Sequence, residues 1–152
     1  MRKASDLSGA IQLGRYKMKD AGAVLVLVDA DDDCAVTLAT SLAGSIPHLP
    51  PSVRANVVVA VREFEAWFLA AAQSLRRHRK VRPDAVAPAN PEAIRGAKEF
   101  LEQSLLRSGQ HYEATVDQAS FADMFDFDEA AACRSFRKLL KELDRISASA
   151  AV

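Results

Sequence analysis

A short, unbroken apolar run followed by a cluster of acids is the feature that most constrains how this chain can fold. Residues 24–28 read Val-Leu-Val-Leu-Val, and Asp29 ends the run. A continuous β-branched run, rather than an alternating one, is typical of a strand that is covered on both faces in a parallel sheet. A second apolar run over residues 56–61 has the same character. With a helix predicted between the two strands, the sequence indicates a βαβ unit and an α/β protein.

The predicted sheet looks incomplete. Only these two strands are predicted, whereas parallel sheets with buried strands normally have more members. Three interpretations stay open: a strand lies in a segment predicted as loop, a second copy or a partner protein supplies the missing strands, or the polypeptide is a fragment of a larger domain.

Helices are predicted for much of the remaining chain. The first is expected to start from an N-cap at Ser5 and to stop at Gly22, with Leu7, Ile11 and Met18 at helical spacing. Further helices are predicted over residues 34–43, 64–75, 91–107, 120–124 and 128–146.

Two of these helices carry specific local signals. Asn90 is a favourable N-cap residue and Pro91 is favourable at the first position of a helix. Together they predict that a helix begins at residue 91. The last helix is expected to bury one apolar stripe, formed by Cys133, Phe136, Leu140 and Leu143. The C-terminal half is therefore predicted to be helical.

Length and composition predict one domain over residues 1–147 and a disordered tail over 148–152. The 20 basic and 20 acidic residues balance, so the whole chain has no net field that attracts nucleic acid or an anionic membrane. Two cysteines without metal-ligand spacing favour a reducing, cytoplasmic location. The longest apolar run, residues 21–28, is too short to span a bilayer, so we expect no membrane contact. No phosphate-binding glycine loop or nucleophile elbow is present, which disfavours ATP hydrolysis and acyl transfer.

The strongest candidate site is the acidic segment that ends the first strand, formed by Asp29, Asp31, Asp32 and Asp33. Ligands of open α/β sheets bind at the carboxyl ends of the strands. Asp29 and Asp31 could both coordinate one Mg²⁺, which prefers one or two carboxylates together with water and phosphate. The alternative is that Asp32 or Asp33 caps the following helix and that the other acids are solvated.

A second acidic pair follows the second strand. Glu63 or Glu65 would emerge close to the aspartates if the two strands are neighbours, where it could complete a metal shell or act as a general base. The alternative is that these acids stabilise the first turn of a helix through its dipole. The adjacent Trp67 and Phe68 are predicted to be core residues.

One local basic run could contact nucleic acid. Arg76, Arg77, Arg79 and Lys80 are candidates for phosphate contacts. No aromatic residues interleave them to stack on bases, and cations at a helix C-terminus also serve the helix dipole, so a solvated face is the alternative.

Five ordered segments carry a family resemblance over residues 22–146. They read VLVLVDADDDC, ANVVVAVREFEAWFLAAAQSL, NPEAIRGAKEFL, HYEATVDQASF and CRSFRKLLKEL. Together they resemble the bacterial domain-of-unknown-function family 4276, which is grouped with Toprim-like proteins.

The resemblance implies a Toprim-like parallel sheet flanked by helices and a nuclease-like relation to phosphodiester-cleaving enzymes. It implies that Asp29 and Asp31 bind Mg²⁺, or Mn²⁺ in its place, with Asp33 as an additional ligand. It favours Glu65 over Glu63 as the auxiliary acid.

The chain departs from the family pattern at its start. Members of the family resemble one another in an N-terminal strand that ends in a Val-Glu-Gly-like turn, whose glutamate serves as a metal ligand and general acid or base. We expect this chain to lack that strand. Two functions stay open: a metal-binding domain that is inactive alone, and a non-catalytic module that assembles with itself or a partner through an open sheet edge.

Overall fold

The architecture is mixed α/β, with a small parallel sheet and many helices. The computed structural model describes residues 2–18 and 21–150, with side chains described for 5–18 and 21–148. The chain divides into two compact units, one formed by residues 1–60 and 138–152 and the other by residues 61–137. Among the described residues, every helix is too short or too polar to span a membrane.

The first unit contains the sheet. Its elements are helix α1 (Arg2–Lys17), strand β1 (Gly22–Asp29), helix α2 (Ala35–Gly44) and strand β2 (Val53–Ala60). The two strands pair in parallel, from Gly22 opposite Val53 to Asp29 opposite Ala60. The predicted βαβ unit is therefore confirmed, and β2 begins three residues before its predicted start.

One face of this sheet forms the core of the first unit. Val24, Val26 and Val28 of β1 lie on that face and pack with Leu7 and Ile11 of α1, which are buried. The core also contains alternate residues of β2 and apolar residues of α2, namely Ala55, Val57, Val59, Leu38 and Leu42. A strand places successive side chains on opposite faces, so this packing covers one side of the sheet.

The prediction that β1 is covered on both faces is wrong at Leu27. Leu27 points away from the face that packs on α1 and α2, and its side chain is 41% exposed. The apolar run encodes the strand itself, but burial depends on which helices pack on each side.

Helix α1 differs from its prediction at both ends. It already includes Ser5, which is therefore not its N-cap, and it ends at Lys17. Gly22 begins β1 instead of stopping the helix. Gly14 matters in the helix interior, because a Cβ atom there would lie only 2.7 Å from Val24 Cγ2. A larger residue at position 14 would push α1 away from the sheet.

The second unit is helical. It contains α3 (Glu65–Ala70), α4 (Ala72–Leu75), a 3₁₀ turn (Pro91–Ala93), α5 (Ala97–Leu105), α6 (Ala114–Ala122) and α7 (Phe127–Ala130). Its core is built around large, fully buried side chains from several helices, namely Phe68, Leu69, Leu75, Leu101, Leu105 and Phe121. Trp67 and Phe68 are buried, as predicted.

Three predicted helices are interrupted or shifted. The helix predicted over residues 64–75 breaks at Ala71, and the one predicted from residue 91 is a single 3₁₀ turn followed by α5. Gly96 separates these two pieces with φ of +66°, a left-handed conformation that glycine adopts without strain. The helix predicted over residues 120–124 begins earlier, at Ala114.

The helix predicted over residues 128–146 is two helices, α7 and α8 (Arg134–Ala150). Residues 134–137 of α8 belong to the second unit and its later residues to the first. Glu92 caps its start, because the carboxylate accepts hydrogen bonds from the backbone N–H groups of Arg134 and Ser135 at 2.9 and 2.8 Å.

The predicted apolar stripe of the last helix is only partly buried. Cys133 and Phe136 are buried and Leu140 is half-buried, but Leu143 is 41% exposed. The predicted tail lies partly outside the described residues, and α8 continues through Ala150.

Candidate functional site

The acidic segment forms a tight turn at the carboxyl end of β1. Asp29 is the last residue of the strand and is half-buried. The N–H of Ala30 donates to the carbonyl of Ala60 at 3.0 Å, and the N–H of Asp33 donates back to the carbonyl of Ala30 at 3.0 Å. Asp31 lies between these anchors with φ of +54°, a left-handed conformation that aspartate tolerates better than most residues. The parallel pairing thus holds the acidic turn in place.

The turn presents carboxylates of different exposure. Asp31 and Asp33 are exposed, whereas Asp29 is partly covered by the sheet. In the described part of the chain, no group of three or more histidine, cysteine, aspartate or glutamate side chains is placed to hold a metal ion. Two carboxylates from one turn still match the chemistry of Mg²⁺, which keeps several waters and commonly binds through one or two carboxylates. The acidic turn is therefore suited to an ion that keeps most of its water ligands, rather than to one coordinated entirely by protein side chains.

Cys34 follows the turn and occupies the N-cap of α2. This corrects the alternative prediction that Asp32 or Asp33 is the cap. The thiol is exposed, and its pKa is lowered, first by a hydrogen bond with the Thr37 side chain and then by backbone groups of the same helical turn.

The second acidic pair lies in the second unit. The Glu63 carboxylate accepts a hydrogen bond from the backbone N–H of Lys98 at 3.2 Å, so it satisfies a donor in the first turn of α5. This contact gives Glu63 a structural role. Its predicted catalytic role, and that of Glu65 together with the aspartates, stay predictions.

Glu65 is the most deeply buried acid of the second unit, with no exposed surface. Its Oε1 atom accepts hydrogen bonds from the Tyr112 hydroxyl at 3.2 Å and from Gln118 Nε2 at 3.4 Å, and Lys98 Nζ lies 3.9 Å away. The pKa of Tyr112 is raised well above its usual value, first by burial and then by the negative charge of Glu65. These neighbours come from α5, from α6 and from the loop before α6, so the Glu65 carboxylate links three segments of the second unit.

Tyr112 and Gln118 were not predicted from the sequence as neighbours of an acid. Gln118 is 53 positions from Glu65, and no local pattern links them. The one sequence signal for this cluster is Glu65 itself, because it is an acid that closely follows a predicted strand.

The basic run is largely occupied with intramolecular contacts. Arg76 Nε donates to the carbonyl of Ala85 at 2.8 Å, and Arg77 Nη2 donates to that of Met124 at 3.0 Å. Both side chains therefore stabilise other backbone segments of the second unit through these hydrogen bonds. Arg77 and Arg79 are both exposed, and of these two it is Arg77 whose side chain donates to another backbone segment.

Lys80, the fourth member of the run, forms a partly buried ion pair. Its Nζ atom lies 2.9 Å from Asp117 Oδ2 and also donates to the carbonyl of His111 at 3.1 Å. Burial acts to raise the pKa of Asp117, but the N–H of Glu113 and the Lys80 ammonium outweigh it and lower that pKa. The predicted contacts of the run with nucleic acid stay predictions.

Comparisons with known proteins identify a family but no characterised relative. Neither a curated protein nor a solved structure matches the chain significantly. The profile of one family, described as Domain of unknown function (DUF4276), matches residues 3–144. Because this match covers most of the chain, the protein belongs to the DUF4276 family.

Proposed function

We propose that this protein is a Toprim-like, Mg²⁺-binding domain related to phosphodiester-cleaving enzymes. The observation that carries the proposal is the acidic turn, in which Asp29 ends a parallel strand and Asp31 lies two residues beyond it. The carboxyl end of a parallel strand is where α/β proteins bind ligands, and paired carboxylates are suitable ligands for Mg²⁺ or Mn²⁺.

Each residue of the acidic turn is proposed to have one role. Asp29 is partly covered and anchored by strand pairing, so it would hold a metal ion with little loss of side-chain freedom. Asp31 would supply the second carboxylate and Asp33 an additional one. When bound, the metal ion would polarise a phosphoryl oxygen as a Lewis acid. Glu65 is proposed as an auxiliary acid, and the exposed Arg79 as a phosphate contact.

The first test measures metal binding and cleavage by the full chain. We expect isothermal titration calorimetry to show saturable Mg²⁺ binding, and we expect supercoiled plasmid DNA or a short RNA to be nicked with Mg²⁺ or Mn²⁺ but not with EDTA. Binding without cleavage would support a metal-binding domain that is inactive alone. If neither ion binds at millimolar concentration, the proposed function is wrong.

A second candidate function is assembly through the sheet edge. In the described residues β1 and β2 pair only with each other, so each has a second edge without a strand neighbour. An unpaired edge presents backbone N–H and C=O groups that can pair with another chain, and the exposed Leu27 adds apolar surface beside it.

Light scattering after gel filtration tests this candidate. We expect a dimer that dissociates on dilution and that is weakened by Leu27→Glu, because the new charge would be buried at the interface. A monomer at every concentration would contradict assembly with itself and leave the metal-binding proposal unaffected.

A further inference from the structure

The second face of β2 carries polar residues that the metal-binding proposal does not use. Ala55, Val57 and Val59 face the core of the first unit, so Arg54 and Asn56 lie on the opposite face of the strand. Asn56 Nδ2 donates a hydrogen bond to Glu142 Oε2 at 2.9 Å. This contact places the later part of α8 on that face.

The charge of Glu142 is already compensated within α8. Its carboxylate is only 4% exposed and forms ion pairs with Lys138 and with Arg145, whose Nη1 atom lies 2.7 Å from Oε1. These contacts lower the pKa of Glu142, with the hydrogen bond from Lys138 as the largest cause. The carboxylate therefore stays ionised without any contribution from Arg54.

A groove lies between the start of β2 and the end of α8. It consists of two adjoining cavities of about 390 and 450 Å³, and Arg54 and Ile146 line both. The groove has room because small residues form much of its wall, namely Gly22, Ala23, Ser52 and Ala148. Ala23 is also the strand neighbour of Arg54, and its side chain is a single methyl group. Each cavity is large enough for a small anion such as phosphate.

Two guanidinium groups line the same cavity from different elements. Arg54 comes from the sheet and Arg145 from α8, and Glu142 is the only carboxylate among the described residues that line this cavity. No ion pair joins Arg54 to a carboxylate of the described residues. Arginine has five N–H donors in a planar fork that matches the oxygens of phosphate, so Arg54 can donate two parallel hydrogen bonds to one phosphate group.

We propose that this groove, between Arg54 of β2 and Arg145 of α8, binds a phosphate group. The ligand is either a free phosphate or a phosphate of a nucleic-acid backbone, which share this chemistry. The site is separate from the acidic turn, because it lies at the amino end of an eight-residue strand that ends at Asp29. At about 3.3 Å per residue, the two ends are roughly 23 Å apart. The inference therefore does not depend on metal binding.

The test measures binding of two probes to the full chain in EDTA, so that metal binding plays no part. The probes are inorganic phosphate, followed by NMR chemical shifts, and a fluorescent single-stranded oligothymidylate, followed by anisotropy. We expect Arg54→Gln to weaken binding about tenfold, since it removes charged hydrogen bonds to the anion. The matched control is Lys141→Gln, which removes the same charge from an exposed position on α8 and should leave binding unchanged.

Each outcome either supports or contradicts the proposal, or identifies the source of the phosphate. Equal sensitivity of both probes to Arg54→Gln assigns the site to phosphate in general, and sensitivity of the oligonucleotide alone assigns it to a nucleic-acid backbone. Arg145→Gln also removes a partner of the buried Glu142, so Arg54→Gln is the deciding variant and thermal melting checks that it folds. Absence of binding by the natural chain, or equal weakening by Arg54→Gln and Lys141→Gln, overturns the proposal.

Discussion

Asp29→Asn and Asp31→Asn are each expected to lower the rate of Mg²⁺-dependent nicking by at least about 10²-fold. Asparagine keeps the size of the side chain but removes the negative charge that attracts the cation. The effect should be large for both residues, because these two carboxylates are the principal ligands proposed for the ion and each supplies one of its negative charges. Initial nicking rates, measured over a range of Mg²⁺ concentrations, would separate weaker metal binding from slower cleavage.

Asp32→Asn is the matched control for this prediction. It removes one charge from the same exposed turn, at a residue that is not a predicted ligand, and should change the rate only slightly. Asp33→Asn should give an intermediate effect if Asp33 is an additional ligand. An unchanged rate in Asp29→Asn and Asp31→Asn would contradict the assignment of the metal site.

Glu65→Gln extends the same assay to the second unit. The new side chain keeps an oxygen that can accept from Tyr112 and Gln118, so the variant removes the charge while retaining an acceptor. A lower nicking rate in a variant with unchanged thermal stability would tie Glu65 to the reaction. An unchanged rate would leave Glu65 as a purely structural acid.

Phe68→Ala is expected to destabilise the fold by about 3–5 kcal/mol, the usual loss for a large aromatic side chain in a core. Phe68 is only 2% exposed, and its ring packs edge to face against Phe64, Phe121 and Phe125 with centroid distances of 5.3, 5.4 and 5.7 Å. Alanine would leave a cavity and remove all three ring contacts. Urea denaturation, followed by circular dichroism and by Trp67 fluorescence, would measure the change in the free energy of unfolding.

Phe127→Ala is the matched control, because it deletes the same atoms from a ring that is 55% exposed. Its ring also contacts other aromatics, but it buries less apolar surface, so its loss of stability should be less than half that of Phe68→Ala. A loss below about 1 kcal/mol for Phe68→Ala would contradict this core. Non-coincident transitions of the two probes would show that the two units unfold separately.

Local sequence patterns predicted those helices and strands whose formation depends mainly on residues close together in the sequence. The run of valines and leucines before Asp29 predicted a parallel strand, and the structure confirms both the strand and its parallel pairing. The helix between the strands and the burial of Trp67 and Phe68 were also predicted. Helix boundaries were predicted less well, because Gly96 and Ala71 interrupt segments whose composition alone favours continuous helices.

The sequence by itself determined that paired acids lie at the end of an apolar strand, because strand formation and its abrupt end at Asp29 are encoded within a few consecutive residues. Only the tertiary structure decided which faces and partners these elements have. Leu27 is exposed because burial depends on the helices that pack against the sheet. The surroundings of Glu65 and the groove beside Arg54 depend on residues far away in the chain, such as the contact between Asn56 and Glu142 across 86 positions. Such contacts form only when the chain folds, so no local pattern of residues encodes them.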